Sequence, residues 1–169
     1  MAKHRRAEIA MTDVEITRFM EQSRTATMAT IGPTGMPHLV AMWYGIVEGH
    51  MCVQTKAKSQ KALNLTRDER MACLIEDSQS YDRLRGVSLE GRGVILRSLE
   101  EIWAVAVSVW ERYRGPYTDA VVGDVEAMMH KRIAVRLDVT RVRSWDHRKL
   151  GLEPALPAGT TAVHLQRAT

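Results

Sequence analysis

Short stretches in which apolar residues recur at every second position alternate along this chain with stretches in which they recur at helical spacing. Residues 25–31 are β-branched or small and run into Gly32-Pro33-Thr34-Gly35, a strong turn signal, after which 38–46 is again strand-like. The two read as a hairpin, and Glu48-Gly49 ahead of 51–55 adds a third strand in meander fashion. Further strands are predicted over 70–75, 87–96 and 133–139, the second carrying Gly91 and Gly93 where a barrel strand bends or bulges. Helical spacing is clearest from Ile102 through Val105, Ala106, Val109 and Trp110 to Tyr113, behind a capping box of Ser98 and Glu101. Thr12 and Glu15 form a second box at the head of a helix over 12–21. Ser59 is placed to cap a short helix ending near Asp68, and a weaker helix is expected over 121–131, beyond the Gly115-Pro116 break.

Strands joined mostly by hairpins, with helices inserted between some of them, predict an antiparallel sheet closed into a barrel rather than a parallel doubly wound sheet. No internal repeat, phosphate-binding Walker loop or Gly-x-Gly-x-x-Gly after a strand is present, so the two commonest nucleotide sites have no support in the sequence.

At 169 residues, 45% of them apolar and 26% charged, the chain has the size and composition of one globular unit, expected over 1–152. Pro154, Pro157 and Gly159 predict a loose tail over 153–169. The net charge of +4, from 24 basic and 20 acidic residues spread along the chain, is a mild imbalance that small anionic ligands fit as well as nucleic acid does, and no nucleic-acid partner is expected. The basic N-terminal stretch has no apolar run behind it, and the longest such run, 102–110, is too short to cross a bilayer. A cytoplasmic protein with no membrane partner is expected. Cys52 and Cys73 fall within strands and lack zinc-site spacing, which predicts reduced, buried thiols and no metal centre.

Three stretches carry candidate chemistry. Gln54-Thr55-Lys56-Ala57-Lys58-Ser59-Gln60-Lys61 passes from a strand into a helix start, where free backbone N–H groups and the helix dipole favour phosphate and hydroxyl and ammonium donors add to them. A solvated basic turn is the alternative. Pro37-His38-Leu39-Val40-Ala41-Met42-Trp43-Tyr44 is a strand dense in large side chains, suited either to barrel packing or to a planar heterocycle. The basic block 141–149, which includes Trp145 and His147, follows the last predicted strand, as a solvated chain end or as a contact to an acidic ligand tail or partner subunit. Hydrolytic constellations are weak: there is no Gly-x-Ser-x-Gly elbow, and His130 and His147 are separated by a strand.

Together with Ser23-Arg24-Thr25-Ala26-Thr27-Met28-Ala29-Thr30 and Ala62-Leu63-Asn64-Leu65, these blocks resemble the pyridoxamine 5'-phosphate oxidase-like split-barrel superfamily, in its deazaflavin- and flavin-dependent oxidoreductase branch. The resemblance covers about residues 8–152. It implies a mainly β, six-stranded antiparallel split barrel of the FMN-binding type with α-helices, acting as a homodimer whose interface forms cofactor grooves lined by both subunits. It maps cofactor phosphate contacts onto Thr55, Lys56, Ser59 and Lys61, and the ring onto the strand of Pro37, His38, Met42 and Trp43. The implied activity is hydride transfer between coenzyme F420, or alternatively FMN, and a small organic acceptor, with no catalytic acid or base assigned. A module that binds a cofactor or haem without turnover is the other class open to this fold.

Overall fold

The structure, a computed structural model, describes residues 2–77 and 80–154, with side chains from residue 6. The chain begins with α1 (Ala2–Ile9), which the apolar pattern does not announce, and α2 (Asp13–Gln22), whose Thr12–Glu15 capping box forms as expected. There follow β1 (Ala26–Ile31), β2 (Pro37–Met42), β3 (Gly45–Val47), β4 (His50–Lys56), α3 (Gln60–Arg67), β5 (Arg70–Asp77) and β6 (Arg85–Leu96). The chain then forms α4 (Leu99–Tyr113), α5 (Val122–Met129), β7 (Arg132–Asp146) and a closing 3-10 turn, His147–Leu150. Most of the tail expected from 153 onward lies outside the described residues.

Among the described residues the strands form one antiparallel sheet in the order β2-β1-β5-β6-β7-β4-β3, curled into a split barrel with seven strands rather than the expected six. The added strand comes from Tyr44, which breaks the stretch 38–46 in two. Its side chain is fully buried, its hydroxyl donates to the Met20 carbonyl (2.5 Å), and its backbone N–H donates to the Tyr113 hydroxyl (3.0 Å), so the chain turns inward there and starts again as β3. The last strand is also longer than expected, because β7 runs on to Asp146 against β6. The block 141–146 is therefore part of the sheet and not a chain end. The predicted bulge is present between Glu90 and Gly91, where a Cβ on Gly91 would stand 2.1 Å from the Asp138 carbonyl oxygen.

The main core fills the barrel with Met28, Met51, Val53, Ile75, Val87, Val135 and Leu137, closed on one side by Phe19 of α2. A second cluster forms where α4 lays Ile102, Val105 and Val109 on Cys52, Leu96 and Ala134. Close approach of α4 requires Gly45, because Ser108 sits against it and its hydroxyl bonds both the N–H and the carbonyl of Ile46. No helix among the described residues is long and apolar enough to cross a membrane.

Candidate functional site

The turn between β4 and α3 is held by its own backbone. The Ser59 N–H donates to the Lys56 carbonyl (2.9 Å), and the Ala57 N–H donates to the carbonyl of Lys131 (3.1 Å). Lys131 adopts a left-handed backbone (φ 56°), which costs a non-glycine residue of order 1 kcal/mol and turns the chain sharply from α5 into β7. Pairing of β4 with β7 then sets Lys56 opposite Arg132. Lys56, Lys58, Lys61, Lys131 and Arg132 are thereby gathered around the start of α3, and among the described residues no carboxylate forms an ion pair with any of them. Lys61 is partly buried, and burial together with the Arg132 charge holds its ammonium below the ordinary lysine range.

Ser59 occupies the N-cap position of α3, but its side chain makes no capping bond. Its hydroxyl instead meets that of Thr55, itself buried, at 3.0 Å. Both α2 and α4 close their first turns with capping boxes, whereas α3 has no side-chain cap on its first turn. Beneath the helix, Asn64 is fully buried: it donates to the Thr30 hydroxyl (2.9 Å) and accepts from Gln60 (2.8 Å) and Arg67 (2.6 Å). This pins α3 to β1.

The site residues expected from the sequence fall in two groups. Thr55, Lys56, Ser59 and Lys61 lie together at the start of α3. Pro37 and His38 open β2, with His38 directly across from Thr30 and so beside the Asn64 network. The Nδ1 atom of His38 is buried without a hydrogen-bond partner among the described residues, a state that costs about 1–3 kcal/mol unless a ligand or solvent supplies one. Met42 and Trp43 sit at the other end of β2, about 13 Å of strand away. Met42 packs toward the core, and Trp43, 52% exposed, stacks on Tyr113 with ring centroids 4.4 Å apart. Because β2 pairs with β1 alone among the described residues, its other edge offers backbone donors and acceptors between these two ends.

Lys131 and Arg132 are contributions that motif reading along the chain misses. Their signal is the dibasic pair at the head of the last strand, which becomes meaningful only once that strand pairs with β4. Burial raises the Cys52 thiol to about 11 and the Cys73 thiol to about 12, so neither offers a nucleophile. Among the described residues no three His, Cys, Asp or Glu side chains are grouped to hold a metal ion.

Comparison with known proteins matches residues 12–146 to the family described as pyridoxamine 5'-phosphate oxidase. Among solved structures, the conserved hypothetical protein Rv2991 of Mycobacterium tuberculosis is 54% identical, with a TM-score of 0.88 over 93% of this chain and 98% of that one. The heme storage protein HutZ of Vibrio cholerae is 15% identical, with a TM-score of 0.62 over 77% of this chain and 92% of that one. An F420 reductase is 21% identical, with a TM-score of 0.53 over 74% and 93%. At these low identities the last two share the fold alone. No curated protein matches at a significant level.

Proposed function

This chain belongs to the pyridoxamine 5'-phosphate oxidase family, and from that premise we propose that it is an F420-binding oxidoreductase that passes a hydride between the deazaflavin and a small organic acceptor. The observation that carries the reading is the set of cations at the head of α3 with no carboxylate among the described residues to neutralise them. Grouped like charges are costly, and a bound phosphate offsets that cost. Thr55, Ser59, Lys56 and Lys61, with Arg132, would hold the cofactor phosphate against the uncapped first turn of α3. The ring would lie along the free edge of β2, from Pro37 and the unpartnered Nδ1 of His38 toward Met42 and Trp43. When bound, the cofactor supplies the two-electron chemistry, and the protein orients its ring and keeps water from the reactive face.

F420 is preferred over FMN because its acidic tail continues past the phosphodiester, where Lys58 and Lys131 add positive charge beyond what one phosphate needs. A homodimer fits the same frame. The outer face of β2, β1 and β5 carries Leu39, Ala41, Ala29, Ala72 and Leu74 across paired strands, with Leu39 63% exposed on the edge strand. A second copy covering that face would bring its own groups to the β2 edge and complete the groove.

The test compares binding of F420 and FMN, then follows oxidation of the reduced F420 with small organic acceptors. Tighter binding of F420, and oxidation faster with protein and acceptor together than with either alone, is expected. Exclusive binding of FMN would replace the cofactor assignment, and binding without acceptor-dependent oxidation would replace the enzyme with a carrier.

A further inference from the structure

β4 pairs with β7 only as far as Arg136, so beyond that point β7 keeps β6 on one side and has no strand partner on its other edge among the described residues. α1 and the start of α2 stand off from this edge, tied to it where the Met11 N–H donates to the Ser144 hydroxyl (3.0 Å). The space between is a cleft of about 770 Å³, within the range of small-molecule sites. It is distinct from the cation cluster: Arg132 and Arg141 are separated by about 30 Å of extended strand.

The lining has a consistent chemistry. Ile9, Ile16 and Val142 supply apolar wall, and Trp145 supplies an aromatic surface. Gly86 lies opposite Trp145 in the ladder, and a Cβ there would stand 2.2 Å from the indole, so the glycine is what lets the ring lie across β6. His147, also in the lining, is fixed by its Nδ1 against the Tyr81 carbonyl (2.8 Å) and by edge contact with the Tyr81 ring at 4.5 Å. A carbonyl only accepts, so Nδ1 carries a proton, and the imidazole is a rigid wall. Arg6, Arg141 and Arg143 bring positive charge, of which Glu90 pairs with Arg143, while Asp13 is the carboxylate in the lining. Arg141 is exposed and forms no ion pair among the described residues.

We propose that this cleft is a second binding site, for a planar aromatic carboxylate or sulfonate, whose ring packs on Trp145 while Arg141 and Arg6 take its anionic group. A flat, preorganised indole and, one end of the same cleft away, a guanidinium without an ion pair among the described residues match an aromatic anion in both its parts. The assignment stands apart from the cofactor reading, since it uses no residue of the α3 cluster.

The experiment is calorimetric titration of the full-length protein with naphthoate, with the uncharged naphthalenemethanol as comparison. Saturable binding at one site per protomer is expected, with the alcohol weaker by about tenfold or more for want of the charge-assisted contact. Arg141→Gln, at an exposed position, and Trp145→Leu, checked for native circular dichroism, should each weaken naphthoate about tenfold. Lys61→Ala should leave it unchanged. Absence of saturable binding, equal binding of the alcohol, or wild-type affinity in either cleft variant overturns the proposal. Loss of binding in Lys61→Ala assigns the anion to the α3 cluster instead, and overturns it equally.

Discussion

Single residues in this protein do work that their types alone do not disclose. Asn64 is polar yet fully buried, and it repays its burial by joining α3 to Thr30 of β1 and by accepting two N–H groups from its own helix. Cys52 and Cys73 show the opposite case, in which burial suppresses chemistry. With pKa values raised to about 11 and about 12, at pH 8 only about one part in a thousand of Cys52, and less of Cys73, is thiolate. Native protein at pH 8 should therefore resist alkylation by iodoacetamide for hours, whereas urea-unfolded protein should take up the reagent at both thiols within minutes, as read by intact mass. Rapid labelling of the native protein would contradict the packing of both core clusters around these strands.

At the scale of elements, the β6–β7 bulge shows how one glycine governs a register. The backbone carbonyl of Asp138 occupies the place a Cβ on Gly91 would take, and a carbonyl within the ladder cannot swing aside as a flexible side chain can. Gly91→Ala should lower stability by about 1–3 kcal/mol, measured as a shift in urea midpoint at unchanged slope. A midpoint equal to wild type would mean that the bulge is not the tight contact described. Gly91 was legible in the sequence as a bulge, as were both capping boxes and the α4 stripe, because each signal is local. What stayed hidden was set by partners distant in the chain. Tyr44 reads as one more strand residue until its hydroxyl reaches α2 and its backbone meets Tyr113, and 141–146 reads as a basic tail until β6 extends the strand. The basic loop 55–61 could be picked out from sequence, but Lys131 and Arg132 beside it could not, since antiparallel pairing with β4 is what delivers them.

At the scale of the whole molecule, two regions carry the proposed function: the apolar outer face of β2, β1 and β5, and the cationic head of α3. The first predicts a dimer. An obligate interface of this kind buries on the order of 2,000 Å², so sedimentation at falling concentration should show a dimer that persists to low micromolar protein and yields no folded monomer with full cofactor affinity. A folded monomer that binds F420 as tightly as the dimer would refute the shared groove. The second region carries the central claim, and the most direct measurement is titration of F420 into wild-type protein and into Lys61→Ala at matched ionic strength. Deleting one charge-assisted phosphate contact worth about 1.5–3 kcal/mol should weaken binding roughly tenfold to a hundredfold while the thermal midpoint of the unliganded protein stays within a few degrees of wild type. Equal affinity in the two proteins would contradict the account.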